Sequence, residues 1–243
     1  MILAADTQAI AALYRPLTSG EWTLRRGATG LARGYWSPVA FVEIISLQRD
    51  DETWMSLTPL EIESEQIGIE AAYGHVAIIG LGMGWAAAAC ALKPGVTRVT
   101  IVERDPDVIA LHAELDLFGR LPNDAGEKAR IIESDAFDWV PDAPVDVMIP
   151  DIWLPLVSDG RVEEVRRMQA NIAATRVYFW GQELEIARHA RAAGRDCDAD
   201  GIAATVADFT LPLIGPDTPD YPERLRAAAD GWMHNRWLPT PVA

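Results

Sequence analysis

The fold of this chain is indicated most clearly by the stretch Val76-Ala77-Ile78-Ile79-Gly80-Leu81-Gly82-Met83-Gly84. Glu103 follows 19 residues after the last glycine of this stretch. The apolar run from His75 to Ile79 has the length and the β-branched content of a buried parallel strand. The three glycines that follow permit a tight turn and a close approach of the backbone to a ligand. A small-residue helix over Trp85 to Leu92 and a second apolar strand over Arg98 to Val102 complete a β-turn-α-β unit typical of nucleotide binding.

The spacing of the glycines distinguishes two kinds of nucleotide site. A GxGxxG turn that cradles a pyrophosphate would need glycine or alanine at position 85, where the chain has Trp85. The remaining pattern, GxGxG over Gly80, Gly82 and Gly84, resembles motif I of class I S-adenosylmethionine-dependent transferases. In that superfamily the turn wraps the amino-acid end of the ligand, and the acid ending the second strand, here Glu103, can accept two hydrogen bonds from the ribose. A tight turn that binds no ligand is the alternative interpretation.

The resemblance covers residues 60–193 and is greatest to the spermidine synthase-like branch of the superfamily. VTIVERDP, at 99–106, looks like the second strand and its turn. ARIIESDAFDWV, at 129–140, looks like the third strand and the acid that contacts the adenine amino group, which maps to Asp135, with Ala136 supplying a backbone N–H. VDVMIPD, at 145–151, looks like the fourth strand, and Asp151 maps to the general base of aminopropyltransferases. The resemblance implies a Rossmann-like, doubly wound, mostly parallel sheet that binds S-adenosyl-L-methionine.

Departures from this branch bear on the reaction. Met83 stands where the synthases have the aspartate that holds the aminopropyl amine. Their tyrosine-histidine-glutamate segment is replaced by TPLEIESE, in which Glu61 and Glu63 are the candidates for binding a substrate. We therefore predict methyl transfer to a small-molecule acceptor, with aminopropyl transfer as the alternative. A non-catalytic dimeric relative is a third interpretation, because motif I lacks the usual acidic contacts.

Residues just past each strand lie at the ligand-binding edge of an open α/β sheet. Trp85, Trp153 and Trp180 occupy such places and could form an aromatic cage for a sulfonium or an amine, the alternative being packing under loops. Asp151 stands beside Trp153 and Pro155, and partial desolvation there would raise its pKa and make it a better base. The alternative role of Asp151 is to cap a helix or stabilise a loop.

Charge and composition narrow the set of partners. The formal net charge of −15 disfavours a nucleic-acid substrate and favours a cationic or neutral small molecule. No apolar run approaches the ~20 residues of a bilayer span, and Met1 to Leu13 lacks the basic start of a signal peptide. Cys90 and Cys197 are far apart, and the histidines share no metal spacing. We expect a cytoplasmic protein with no bound metal, and the resemblance implies a homodimer.

The chain divides into three segments. Residues 1–70 are predicted to form a small helix-plus-hairpin region, residues 71–193 the Rossmann-like adenosylmethionine-binding domain, and residues 194–243 a C-terminal extension that packs on it. The strand and helix candidates outside the central domain are Thr7 to Tyr14 (helix), Glu21 to Arg25, Val39 to Leu47, Thr53 to Leu57 and Phe209 to Ile214 (strands), and Tyr221 to Trp237 (helix).

Overall fold

The computed structural model describes residues 2–239, with side chains from residue 6 onward. The elements are α1 (Ile2–Ala11), β1 (Leu17–Ser19), β2 (Trp22–Arg33), β3 (Val39–Arg49), β4 (Glu52–Ser56), α2 (Pro59–Ala71), β5 (Gly74–Ile79), α3 (Trp85–Ala91), β6 (Val96–Glu103), α4 (Pro106–Leu115), a 3₁₀ helix (Pro122–Lys128), β7 (Ala129–Glu133), β8 (Val147–Pro150), α5 (Arg161–Ile172), β9 (Arg176–Val177), α6 (Gln182–Ala192), α7 (Ala199–Phe209) and α8 (Tyr221–Trp232). Over these described residues, no helix combines the length and the hydropathy that crossing a bilayer would require.

A five-stranded parallel sheet forms the centre of the molecule, in the order β7-β6-β5-β8-β9. The last residue of β5, Ile79, pairs with Val102 of β6 on one side and with Pro150 of β8 on the other. After β5, the chain first adds β6 and β7 on one side of β5 and then crosses to add β8 and β9 on the other side. This reversal leaves a crevice outside the carboxyl ends of β5 and β8. This is the strand order of the class I methyltransferase fold, so the predicted Rossmann-like, doubly wound sheet is confirmed.

Local sequence explains the two helices that flank the crevice. Gly84, at φ 76°, leads the chain from the turn into α3, whose alanines Ala87 and Ala88 are almost completely buried. Small side chains let this helix lie close to the strands. Helix α4 has a favourable start, because the Asp105 carboxylate accepts a hydrogen bond of 2.9 Å from the N–H of Asp107 and Pro106 occupies the first helical position.

A second, antiparallel sheet of order β1-β2-β3-β4 precedes the parallel one. Strand β1 pairs only with Trp22–Leu24 of β2, and β4 pairs only with Ser46–Arg49 of β3. Among residues 2–239, therefore, the rest of the β2–β3 hairpin is a two-stranded ribbon whose edges pair with no further strand. Its cross-strand pair Leu31 and Phe41 is 75% and 70% exposed.

The antiparallel sheet and α1 cover the carboxyl edge of the parallel sheet. The Tyr14 hydroxyl donates a hydrogen bond of 3.0 Å to the carbonyl of Met83 in the glycine turn. The Trp22 indole N–H donates one of 2.8 Å to the carboxylate of Asp105. These contacts place the antiparallel sheet as a wall over the crevice.

The strand predicted over Phe209 to Ile214 is wrong. Phe209 instead ends helix α7, which starts after Asp198, whose carboxylate accepts a hydrogen bond of 2.9 Å from the N–H of Gly201. Phe209 closes the buried face of that helix, and only Leu213 forms an isolated bridge, with Val177. An acidic stretch that looks like a loop is thus the capped start of a helix.

Other boundaries also differ from the sequence prediction. The first helix spans Ile2–Ala11 rather than Thr7 to Tyr14, and the last ends at Trp232 rather than Trp237. The regular part of β9 is only Arg176–Val177, although the N–H of Trp180 still donates to the carbonyl of Pro150 at 3.0 Å. Helix α2 was not predicted at all.

Candidate ligand-binding site

A cavity of about 360 Å³ lies between the two sheets, outside the carboxyl ends of β5, β6, β7 and β8. The antiparallel sheet contributes Trp22, Arg49, Trp54 and Met55 to its lining. The opposite wall comes from the glycine turn and the loops after the parallel strands. Its size and position suit a small organic ligand.

The glycine turn requires glycine at the positions that the sequence singled out. The φ angles of Gly80, Gly82 and Gly84 are 101°, 48° and 76°, in the left-handed region that side chains disfavour. A Cβ on Gly80 would also stand 2.0 Å from the carbonyl oxygen of Asp151, and one on Gly84 would stand 2.6 Å from His112 Cε1. The turn is therefore packed tightly against both neighbours.

His112 of α4 holds the turn from behind. Burial lowers the pKa of His112 to about 4, so the imidazole is neutral at physiological pH. Its Nε2 lies 2.9 Å from the carbonyl oxygen of Gly82, which makes Nε2 the protonated nitrogen that donates the bond. The role of His112 is structural.

Glu103 is already held by the backbone on both carboxylate oxygens. Oε2 accepts a hydrogen bond of 3.0 Å from the N–H of Leu81, and Oε1 accepts bonds of 2.8 Å from the N–H groups of Arg104 and Asp105. A carboxylate offers about four lone-pair sites, so about one is left for a ligand. The two ribose contacts expected from the sequence are reduced to one unless a backbone bond is displaced.

Asp135 and Ala136 follow β7 and line the same cavity. The Asp135 carboxylate accepts a hydrogen bond of 2.8 Å from the N–H of Phe137 and lies 3.8 Å from a guanidinium nitrogen of Arg104. The structure therefore brings together Gly80, Gly82, Glu103, Asp135, Ala136 and Asp151 around one space, while Gly84 shapes the turn beneath it.

Asp151 follows β8, and its N–H donates a bond of 2.7 Å to the carbonyl of Ile79. Burial raises the pKa of Asp151 to about 7, although the positive charge of Arg161 opposes the shift. A carboxyl group with such a pKa changes its protonation state near neutral pH. Asp151 can therefore accept a proton from a bound nucleophile.

A second, smaller cavity of about 20 Å³ adjoins the first and is lined by the carboxyl-bearing residues Glu61, Glu65 and Asp151. Burial and the charge of Asp151 raise the pKa of Glu61 to about 8. Burial, followed by the charges of Asp151 and Glu61, raises the pKa of Glu65 well above its usual range. Within the part of the chain that the structure describes, both carboxyl oxygens of Glu65 are buried without a hydrogen-bond partner. These three residues form what we call the acid cluster.

Sequence reasoning missed Glu65, although a signal for it exists. Thr58-Pro59 is a common start of a helix, and four-residue spacing on that helix would have placed Glu65 on the same face as Glu61. Glu63 lies elsewhere. Its carboxylate accepts hydrogen bonds of 2.9 and 3.1 Å from the N–H groups of Trp36 and Ser37, so it holds the turn of the β2–β3 hairpin.

Two of the three tryptophans predicted to form a cage, Trp153 and Trp180, already contact a cation of the protein, whereas Trp85 lines the smaller cavity. The guanidinium carbon of Arg161 lies 4.4 Å from the ring centroid of Trp153 and 5.7 Å from that of Trp180. Trp153 lines the larger cavity, whereas Trp180 is not among the residues that line either cavity. Trp180 is 4% exposed, and its indole N–H donates a bond of 2.9 Å to the hydroxyl of Ser64. Of the three tryptophans singled out from the sequence, Trp153 is the one that lines the larger cavity, which Trp22 and Trp54 of the antiparallel sheet also line.

The chain matches no protein-family model, and no curated protein has a matching sequence. Solved structures are similar over part of the chain. The DhpI-SAM-HEP complex shares 22% identity over 48% of this chain and 53% of that chain, with a TM-score of 0.35. The spermidine synthase from Thermotoga maritima shares 15% identity over 67% of this chain and 64% of that chain, with a TM-score of 0.39. The mitomycin 7-O-methyltransferase MmcR shares 26% identity over 46% of this chain and 32% of that chain, with a TM-score of 0.33.

The chain thus spans about half the length of the DhpI chain that it matches, 53% in the SAM-HEP complex. Each of these similarities covers only part of this chain and part of the compared chain.

Proposed function

We propose that this chain binds S-adenosyl-L-methionine in the larger cavity and transfers its methyl group to a small-molecule acceptor. One observation carries the proposal. Glu103, Asp135 and Asp151 end or follow strands β6, β7 and β8, and all three line one cavity beside the glycine turn after β5. Ligands of open α/β sheets bind at this edge.

The residues present fit an adenosine ligand. Glu103 has about one free acceptor site for a ribose hydroxyl, and Asp135 would accept a hydrogen bond from the adenine amino group. The N–H of Ala136 would donate to the adenine ring. The bound cofactor would supply a methyl group on a sulfonium, and its leaving group is a neutral thioether that needs no proton.

The protein's own contribution is positioning and the removal of a proton. Asp151 lines both cavities, so it faces the space where the cofactor and an acceptor would meet. With a pKa near 7, it is substantially ionised at neutral pH and can take the proton of an attacking amine or hydroxyl. Arg161 keeps that pKa from rising further. Holding the two reactants in line supplies the rest of the rate enhancement.

We infer further that the acceptor carries an amino group. The smaller cavity has room for about one water-sized group, and an ammonium group is of that size. It would pair with the acid cluster and supply donors to the Glu65 oxygens that lack hydrogen bonds. The net charge of −15 would also attract a cation.

Aminopropyl transfer from decarboxylated adenosylmethionine is the second candidate function. The acid cluster supports it, because Glu61 and Glu65 on α2 could hold the aminopropyl amine in place of the aspartate that Met83 replaces. Both candidate reactions would use Asp151 as the base.

A transfer assay with two labelled donors tests these proposals. The purified protein is incubated with methyl-labelled adenosylmethionine, or with aminopropyl-labelled decarboxylated adenosylmethionine, and a panel of small amines and alcohols. We expect labelled methyl product with an amine, and its loss in Asp151→Asn, which keeps the shape of the side chain. Label from the second donor alone would favour aminopropyl transfer. Binding of donor with no product from either would favour a non-catalytic protein, and no binding would refute the proposed function.

A further inference from the structure

The side chain of Met55 reaches from the antiparallel sheet onto the glycine turn. Met55 lies on β4, where the pairing with β3 is shifted by a bulge between Leu47 and Gln48. Its sulfur accepts a hydrogen bond of 3.2 Å from the N–H of Met83. A Cβ on Gly82 would stand 2.7 Å from the same sulfur and 3.1 Å from the terminal methyl carbon. The thioether therefore covers the inner side of the turn.

The bond from Met83 to Met55 is the weakest among the N–H contacts of the turn. The N–H of Gly80 donates to a carbonyl at 2.8 Å, that of Leu81 to the Glu103 carboxylate at 3.0 Å, and that of Gly84 to a carbonyl at 2.7 Å. The N–H of Met83 alone donates to a thioether, which is a poor acceptor on a flexible side chain. A carboxylate would replace this acceptor readily.

Met55 also stands at the boundary between the two cavities. It lines the larger cavity and the smaller one, together with Gly80 and Asp151. A ligand that fills the larger cavity with a nucleoside and extends past the glycine turn must therefore move the thioether. A nucleoside that ends at a short alkyl sulfide has no such tail.

We propose that Met55 is a displaceable gate whose displacement weakens the binding of every nucleoside with an α-amino-acid tail, the donor S-adenosyl-L-methionine and its product included, relative to nucleosides without the tail. The gate rests on the proposed function, because the donor itself would have to displace Met55 on binding. A tail carrying a carboxylate gains the N–H of Met83 only after it has moved the thioether from Gly82, so part of its binding energy is lost in that displacement. A ligand without the tail leaves Met55 in place.

Titration calorimetry with two ligands tests the gate. The affinities of S-adenosylhomocysteine, which has the tail, and 5′-methylthioadenosine, which lacks it, are measured on the wild type, Met55→Ala and Met55→Leu. We expect Met55→Ala to tighten the binding of S-adenosylhomocysteine about five- to tenfold. The same substitution should change the binding of 5′-methylthioadenosine less than about twofold. Met55→Leu retains the bulk and should keep the wild-type ratio of affinities within about twofold. Met55→Thr provides a second small side chain, of a residue type that is favoured in strands. We expect the same change in affinities for Met55→Thr as for Met55→Ala.

The outcomes separate the two proposals. An unchanged ratio in both Met55→Ala and Met55→Thr, with both ligands still bound, would overturn the gate and leave the proposed function standing. If Met55→Leu changed the ratio of the two affinities as much as Met55→Ala does, the gate would also be overturned. Binding of neither ligand to any variant or to the wild type would refute the proposed function and the gate with it.

Discussion

The guanidinium of Arg161 stacks on the indole of Trp153 at 4.4 Å and is 1% exposed. The guanidinium also donates hydrogen bonds of 2.9 and 3.1 Å to the carbonyls of Leu156 and Trp180. A buried cation therefore joins α5 to the loops that follow β8 and β9. The charge of Arg161 also lowers the pKa of Asp151. Arg161 therefore affects both the packing of these loops and the proton affinity of the candidate base.

Removal of this cation should be costly. We expect Arg161→Met to lower the free energy of unfolding by about 3–5 kcal/mol, because buried carbonyls and carboxylates would lose their partner. Urea denaturation at pH 7 measures the change. Arg191→Met is the matched control, since Arg191 stacks on Trp237 at 4.6 Å but is exposed, and it should cost less than about 1 kcal/mol. Equal losses for both variants would contradict the structural role of Arg161.

Stability should depend on pH through buried Glu183. Its carboxyl group is 0% exposed and accepts a hydrogen bond of 3.2 Å from the Tyr35 hydroxyl, and burial raises its pKa to about 7. In the unfolded chain the same group has a pKa of about 4.3, so between about pH 4 and pH 7 the folded state holds a proton that the unfolded state has lost. Folding stability then falls as pH rises, by about 1.4 kcal/mol per pH unit for this group, and levels off above pH 7.

The difference in unfolding free energy between the wild type and Glu183→Gln isolates this effect. We expect Glu183→Gln to gain stability relative to the wild type from pH 5 to pH 7 in urea denaturation, because the amide does not ionise. Burial of Glu61 and Asp151 also makes stability fall as pH rises. This contribution is present in both the wild type and Glu183→Gln, so it cancels in the difference. A difference that does not vary with pH would contradict the raised pKa of Glu183.

Glu103 should contribute strongly to nucleoside binding. We expect Glu103→Gln to weaken the binding of S-adenosylhomocysteine about 10- to 100-fold, because an amide accepts fewer and weaker hydrogen bonds than a carboxylate. Glu133→Gln is the control, since Glu133 pairs in register with Glu103 on the next strand but is exposed. Calorimetry that gave equal affinities for the two variants would argue against a ligand at Glu103.

The homodimer implied by the sequence resemblance has a natural candidate surface in the exposed pair Leu31 and Phe41. We expect the wild type to have the mass of a dimer in light scattering after gel filtration, and the double variant Leu31→Lys/Phe41→Lys that of a monomer. Val140→Lys serves as control, because Val140 is 67% exposed and lies outside the hairpin. A dimer that survives the double substitution would place the interface elsewhere.

Residues that act through the local chain could be predicted from the sequence. The glycine turn, Glu103, Asp135 and Asp151 all end or follow strands whose apolar pattern is plain, and parallel strands bring their carboxyl ends to one edge. Helix α2 was missed because the acid Glu65 is buried on it, which breaks the apolar-inside pattern that identifies a helix.

Residues that act across long distances in the sequence could not be predicted. Arg161 fills the space between Trp153 and Trp180 because the loops after two strands and the start of α5 meet there, a packing that no local pattern reports. Met55 reaches the glycine turn only because the antiparallel sheet folds over the parallel one. The same contacts decide which tryptophans face a ligand.

A crystal structure of the protein with S-adenosylhomocysteine tests the central proposal most directly. We expect density for adenine against Asp135 and the N–H of Ala136, with the ribose at Glu103 and the thioether facing Asp151. A cavity closed by side chains at saturating ligand, or a nucleoside bound away from the glycine turn, would contradict it.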